Sequence, residues 1–139
     1  MTERVLLYIP QKCIPKGRPR FNTETKAVYT PKKTQDFEKM IGLYGKNRIK
    51  TPINKPIKIE IKIRFAIPKS WTKQKREDAL KGKVSVTSRT LGDLDNLSKS
   101  ILDGLNGIAF TDDSNIVRLD VEKLYGEKDE IVVMIEEVV

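Results

Sequence analysis

The sequence predicts an α+β fold in which a mixed β-sheet is flanked by helices. Residues 57–65 read IKIEIKIRF and alternate apolar with charged side chains, the period-two pattern of a half-buried strand. A second segment repeats its apolar residues at steps of three and four, which is typical of an amphipathic helix: Leu94, Leu97, Ile101, Leu105 and Ile108. The elements between and around these two do not follow the regular alternation of βαβ units, which favours a mixed sheet.

The elements before residue 57 are shorter. An apolar run at residues 5–9 ends at Pro10 and predicts a first strand, and Val28 with Tyr29 predicts a second. A helix is expected from Thr34, a plausible cap, to about Gly45, because its apolar residues recur at helical spacing: Phe37, Met40, Ile41 and Tyr44.

After the alternating strand, Ser70 is a plausible cap for a short basic helix that extends to Lys83, with Trp71 and Leu80 as its anchors to the core. The strong helix that follows is expected to stop near Asn106 and Gly107. Residues 117–121 and 131–135 then predict two last strands, which are expected to pair as a hairpin.

The composition predicts one domain over residues 1–139 and a cytoplasmic protein. The chain has 139 residues, about the usual size of one domain. No apolar run approaches the roughly 20 residues that span a bilayer, and the first residues have no signal-peptide pattern. With one cysteine, Cys13, and no histidine, the sequence excludes disulfides, thiolate or imidazole zinc sites, and nucleophilic mechanisms that need a histidine base.

Acidic and basic residues are segregated along the chain. Residues 1–90 contain 23 Lys and Arg against 7 Asp and Glu, a net charge of +16, whereas residues 91–139 contain 4 against 12, a net charge of −8. A solvated surface accounts for part of the excess of Lys and Arg in residues 1–90. The pattern also suits a protein whose first part binds a polyanion and whose second part binds a cation.

Asp93 and Asp95 lie where a loop enters the strong helix, within one turn of its positive end. Capping of that helix is one explanation for them. Metal binding is the other, because Lys99 lies four residues after Asp95 on the same helix face, where its ammonium could meet a phosphate held by a metal. Magnesium is favoured, since it prefers carboxylate oxygens and substrate phosphates, and manganese is the expected substitute.

A second acidic pair, Asp112 and Asp113, follows the helix and a turn. The helix is about 20 Å long at about 1.5 Å per residue, so the spacing does not show whether the two acidic sites meet. If the strand that begins near residue 116 runs back alongside the helix, Asp113 reaches the Asp93 end from a neighbouring element or from another subunit. The sequence leaves these routes open.

The block Asp93-Leu94-Asp95-Asn96-Leu97 with Lys99, followed by Asp112-Asp113 and Val117, resembles the RusA-type Holliday junction resolvases, small endonucleases of bacterial and prophage genomes. The resemblance is strongest over residues 91–122 and looser before residue 57, where residues 16–20 (KGRPR) are similar to the opening of some members. Residues 71–89 look longer than the corresponding segment of compact members.

The resemblance implies that Asp93, Asp95 and Asp113 bind the metal and that Lys99 acts near the scissile phosphate, so these four are the expected catalytic residues. Asp112 and Asn96 form a second tier. The resemblance also implies a RusA-like domain that forms a twofold homodimer, and a magnesium-dependent endonuclease that resolves four-way DNA junctions by paired symmetric cuts in recombination and repair. One visible site per chain fits a dimer, because two symmetric cuts need two sites.

The expected phosphate contacts are basic residues in three segments of the chain: Lys16, Arg18, Arg20, Lys32, Lys33, Lys73, Lys75 and Arg76. Phe21 and Tyr29 near the basic loop are candidates to stack on unpaired bases. Two alternatives remain: a non-catalytic or degenerate DNA-binding relative in which the acids cap helices and turns, and a nuclease for other branched nucleic acid.

Overall fold

The computed structural model describes residues 4–138; the predicted domain also includes residues 1–3 and 139, which lie outside the described residues. The predicted α+β class is confirmed. In chain order the helices and strands are β1 (Arg4–Ile9), β2 (Arg20–Phe21), β3 (Val28–Tyr29), α1 (Lys32–Arg48), β4 (Ile57–Ala66), α2 (Lys73–Leu80), α3 (Leu94–Leu105), β5 (Ile116–Gly126) and β6 (Glu130–Glu137).

The main sheet has four strands in the order β1-β6-β4-β5. β4 runs parallel to β5, and β6 runs antiparallel to both β1 and β4. The alternation predicted for β4 is confirmed, since its isoleucines and Phe65 are buried while its charged residues lie on the opposite face. The buried face belongs to the same core cluster as Ile41 of α1 and Ile101 of α3, so the helices cover one side of the sheet.

The predicted hairpin between the last two strands is wrong. β5 and β6 lie on opposite sides of β4, and the short connection between them crosses the end of that strand. The crossing is held by two hydrogen bonds: the amide of Ala66 donates to the Asp129 carboxylate over 2.8 Å, and the amide of Ile67 donates to the carbonyl of Gly126 over 3.0 Å. Residues 127–129 suffice because two inter-strand spacings amount to only about 10 Å.

The predicted helix boundaries need correction at both ends. α1 continues past Gly45 to Arg48, and α2 ends at Leu80 instead of Lys83. α1 begins two residues before Thr34, and the buried Thr34 hydroxyl accepts a hydrogen bond from the Gly17 amide over 3.0 Å instead of capping the helix. The cap of α2 is Thr72 and not Ser70, because the Thr72 hydroxyl accepts from the Lys75 amide. Trp71 contacts the Tyr125 ring edge-on at 5.0 Å, as its anchoring role requires, but Leu80 is 52% exposed and is not part of the core; Ala79 is the buried residue of α2.

Cys13 is a core residue. Its side chain is buried, and burial raises the pKa of the thiol to about 12. A thiol of that pKa is protonated at neutral pH and is a poor nucleophile. Within residues 4–138, none of the helices has the length and apolar character needed to cross a bilayer.

Candidate active site

Asp93 and Asp95 occupy the start of α3, as the sequence predicts. Asp93 is the residue before the first helical turn, yet its side chain makes no capping hydrogen bond, and Asp95 lies exposed in that turn. Neither carboxylate has a hydrogen-bond or ion-pair partner among residues 4–138. Local helix capping therefore does not account for Asp93, and both carboxylates are available to a ligand.

A cleft of about 570 Å³ opens beside Asp93. It forms where the chain after β1 packs against the start of α3, an arrangement fixed in part by a 2.9 Å hydrogen bond from the Lys16 amide to the Asn96 carbonyl. The residues that line it come from three segments: Pro15, Lys16, Arg18, Arg89, Gly92, Asp93 and Asn96. The cleft thus combines one carboxylate with two arginines, the charges that a metal-bound phosphate needs.

Gly92 lies at the entry to this cleft, and its backbone has a conformation that favours glycine. Its φ is +105°, and a Cβ atom there would lie 2.9 Å from the Cβ of Pro15. Because Gly92 directly precedes Asp93, the position of that carboxylate depends on this close approach.

We expect Gly92→Ala to lower the free energy of unfolding by about 1–3 kcal/mol, since the backbone strain and the contact with Pro15 act together. Asp93 should be displaced as well, because it directly follows Gly92 and the contact with Pro15 would have to be relieved. Gly82→Ala is the matched control: Gly82 also has a positive φ, +78°, but nothing lies within 4 Å of the added methyl group. Urea denaturation measures both changes, and equal losses for the two variants would contradict the role of the Pro15 contact.

β5 runs back alongside α3. The ammonium of Lys123, near the end of β5, donates to the carbonyl of Gly92 over 3.1 Å, so the second half of this strand lies at the Asp93 end of the helix. Leu94 and Val121 line a common groove, which agrees with that direction. The first residues of β5 therefore lie at the opposite end of α3.

Asp113 consequently lies far from Asp93 within one chain. Asp113 lies three residues before β5, at the end of α3 that is opposite Asp93. Its partial burial, with the nearby carboxylates of Asp103 and Asp112, raises the pKa of the Asp113 carboxyl. Asp103 is eight residues beyond Asp95, a rise of about 12 Å along the helix. Within residues 4–138, no three Asp, Glu, Cys or His side chains of one chain lie close enough together to bind one metal ion.

The second-tier residues have structural contacts. The Asp112 carboxylate accepts a hydrogen bond from the Ser114 amide over 3.1 Å, and this contact with Ser114 lowers the pKa of Asp112. Asn96 contributes its backbone carbonyl to the contact with Lys16 and part of its surface to the cleft. Lys99 is exposed one turn after Asp95 on α3, which leaves it free to reach a bound phosphate.

Lys16 is held between carboxylates and is a weak candidate for DNA contact. Its ammonium lies 2.5 Å from Glu38 of α1 and 3.0 Å from Asp103 of α3. Burial lowers the pKa of Lys16, but the two carboxylates outweigh burial and raise it overall. This ion pair joins α1 to α3, so Lys16 contributes to the packing of the helices that carry the site.

The other predicted basic residues divide into two groups. Arg18, Arg20 and Lys33 line one groove beside the start of α1, where Lys32 forms a surface ion pair with Asp36 at 3.1 Å. The basic residues of α2 are exposed, and the ammonium of Lys75 lies 3.9 Å from the ring centre of Trp71. The group on α2 is Lys73, Lys75 and Arg76.

Arg89 was missed by sequence reasoning. The residues next to Arg89 in the sequence form no motif. Arg89 approaches Asp93 because residues 89–92 form a turn, in which the Gly92 amide donates to the Arg89 carbonyl over 3.2 Å. Its position four residues before Asp93 was the available signal, because a turn brings such residues together.

Residues 10–136 match the protein family described as Endodeoxyribonuclease RusA. The fold and this match together define a nuclease of the class that cuts DNA internally. The chain belongs to the RusA endodeoxyribonuclease family. It is also similar to a protein described as "Uncharacterized protein YqaN" from Bacillus subtilis (strain 168), with 35% identity over 130 residues that cover 90% of each chain.

Proposed function

We propose that this protein is a magnesium-dependent endonuclease that resolves four-way DNA junctions by paired symmetric hydrolysis, in the recombination and repair of cytoplasmic bacterial or prophage DNA. The observation that carries the proposal is the pair Asp93 and Asp95 at the start of α3, which have no protein partner in the described chain. Asp93 lines a cleft that also exposes Arg18 and Arg89. Membership of the RusA family supports the endonuclease activity.

The donor set fits magnesium. Asp93 and Asp95 offer hard carboxylate oxygens, and magnesium is usually held by one or two protein carboxylates, water and substrate phosphate oxygens. When bound, the ion would polarise the phosphate that is cut and lower the pKa of a water molecule bound to it. The chain itself positions the DNA: Arg18 and Arg89 bind the flanking phosphates, and Lys99 neutralises charge at the phosphate that is cut.

The third carboxylate, Asp113, requires a second subunit. β5 is an edge strand, and from Val117 to Tyr125 its backbone forms hydrogen bonds only within the sheet. Two apolar side chains on it are exposed, Val117 by 61% and Leu119 by 42%. An open edge with apolar side chains is suited to pairing with another strand, and a second copy of β5 is the occupant that a twofold dimer supplies.

Antiparallel pairing of two β5 strands brings the missing carboxylate to the site. If the twofold axis passes near Leu119, each residue of one β5 strand lies opposite the residue of the partner strand that is equally far from Leu119 in the other direction. Lys123, which contacts Gly92, then faces Asn115 of the partner subunit, two residues from the partner's Asp113. Each site in this dimer combines Asp93 and Asp95 of one subunit with Asp113 of the partner subunit, and the two sites are symmetric.

The basic residues account for binding that depends on DNA structure more than on base sequence. Arginine and lysine contact phosphates without reading bases. The candidates that remain exposed lie on the groove beside α1 and on α2: Arg18, Arg20, Lys32, Lys33, Lys73, Lys75 and Arg76. Arg18 joins the groove beside α1 to the cleft, so the positively charged surface continues from the cleft along that groove.

The alternative of a non-catalytic DNA-binding relative has one observation in its favour, since the described part of a single chain does not group three metal ligands. A second subunit removes that objection. The two hypotheses differ in whether any nucleic acid is cut.

The proposal is tested by offering the purified protein a four-way junction, a three-way junction, a flap, a linear duplex and the corresponding RNA, each with Mg²⁺, with Mn²⁺ or with EDTA. We expect paired symmetric cuts in the four-way junction with either metal, because both accept carboxylate and phosphate oxygens. Preferential cutting of another branched substrate would favour the alternative nuclease, and no cutting of any substrate would favour the non-catalytic protein.

A further inference from the structure

The ribbon formed by β2 and β3 exposes its large side chains to solvent. Arg20 pairs with Tyr29 and Phe21 with Val28, and all four residues are exposed. The exposed fractions are 58% for Phe21, 70% for Val28 and 45% for Tyr29. Since large apolar side chains usually pack inside a protein, such a concentration on two short strands marks a surface that meets a partner.

Hydrogen bonds hold the loop that joins the two strands of the ribbon. Asn22 closes the loop between the strands, because its amide donates to the carbonyl of Ala27 over 2.8 Å and its side-chain oxygen accepts from the amides of Glu24 and Thr25 over 2.9 and 3.1 Å. Lys26 completes the turn with a φ of 57°. The aromatic residues are therefore presented on a fixed support rather than on a loose loop.

Charge and position identify the partner. Residues 16–33 contain six Lys and Arg against one Glu, so the ribbon is set in a strongly positive surface. Arg18 lines both the groove that contains Arg20 and the cleft that contains Asp93, which makes the ribbon and the cleft neighbours. A partner that combines flat apolar groups with closely spaced negative charges fits both surfaces at once, and single-stranded or unpaired nucleic acid has this chemistry.

We propose that the face of the ribbon formed by Phe21 and Val28 inserts against unpaired or unstacked bases where the strands of a branched DNA exchange. The inference rests on the proposed function, because it explains how the cleft would distinguish a branch from a duplex. In a linear duplex the bases are stacked and paired and offer no free face to Phe21. At a branch the continuous stacking is interrupted, so the face of a base pair or of an unpaired base is available to Phe21, and Arg18 and Arg20 bind the phosphates on either side.

The test uses a four-way junction with 2-aminopurine, a base whose fluorescence rises when it is unstacked, either at the branch or within an arm. The full chain is added in EDTA so that nothing is cut, and binding is measured separately by anisotropy. Wild type should raise the fluorescence at the branch only. Phe21→Ala should lose most of that rise and bind the junction about tenfold more weakly, the size expected for one lost base stack, with duplex binding changed less than about twofold.

Phe21→Tyr keeps a ring and should retain the rise. Leu43→Ala is the matched control, because Leu43 is 68% exposed on α1 and outside the ribbon. Thermal melts should be unchanged, since Phe21 is largely exposed. A rise that survives in Phe21→Ala, or is lost equally in Leu43→Ala, would overturn the inference, as would an absence of binding to any branched DNA. If wild type shows the ribbon-dependent rise but never cuts with magnesium, the proposed nuclease activity fails and the base contact stands.

Discussion

Asp95→Asn is expected to abolish the cutting of a four-way junction in magnesium. The variant loses one carboxylate oxygen of the proposed metal site, and a bound metal contributes several kcal/mol to phosphodiester hydrolysis, so a loss of about a thousandfold or more is expected at about 1.4 kcal/mol per factor of ten. Junction binding should be retained or become tighter, because a negative charge that faces the phosphate is removed. Gel-based cleavage and anisotropy measure the two properties separately.

The matched control for Asp95→Asn is Asp36→Asn. Asp36 is also an exposed aspartate on a helix, but it pairs with Lys32 on the surface of α1, where an ion pair contributes little to stability. The control should cut at the wild-type rate. If Asp95→Asn cuts within about threefold of wild type, the carboxylate does not support the roughly thousandfold effect that metal catalysis requires, and the assignment is wrong.

Leu119→Lys is expected to give a monomer that binds DNA more weakly and does not cut it. In the proposed dimer the two copies of Leu119 lie close to the twofold axis, so the substitution places two like charges against each other on strands that must pair. Since each site needs Asp113 of the partner subunit, the monomer has no complete site. Sedimentation or light scattering measures the mass, and cleavage is measured on the same sample.

Leu43→Lys separates this effect from the simple addition of charge. Leu43 is more exposed than Leu119, 68% against 42%, and lies on α1 and not on the β5 edge of the sheet. The Leu43 variant should stay a dimer and keep cutting. A dimer of unchanged activity with Leu119→Lys would show that β5 is not the contact between subunits.

Local periodicity predicted the elements of the fold that bury one regular face. The strict alternation of β4 and the three-and-four spacing of α3 record burial directly, so both were identified correctly. The pairing of β5 with β4 was not predicted, because partner choice depends on where the connection at residues 127–129 crosses the sheet. The hydrogen bond from Ala66 to Asp129 that holds this crossing joins residues 63 positions apart, and no local pattern reveals it.

The candidate site was predictable to a similar extent. The position of Asp93 and Asp95 at the start of α3 was predicted because their spacing is visible in the sequence. The cleft beside Asp93 depends on contacts between distant segments, such as that of Lys16 with Asn96. These contacts bring Arg89 to the cleft and hold the Lys16 ammonium against Glu38 and Asp103. The separation of Asp113 from Asp93 by the length of α3 likewise emerged only from the fold.

The central claim is a site that combines Asp95 of one subunit with Asp113 of the other, and mixed dimers test it most directly. Asp95→Asn and Asp113→Asn chains carrying different tags are co-expressed, and dimers with one chain of each kind are isolated. Across subunits, one of the two sites then collects both substitutions and the other collects neither. The account predicts that these mixed dimers nick four-way junctions at about half the wild-type rate per dimer, although each parent variant is inactive. Mixed dimers as inactive as both parents would contradict it.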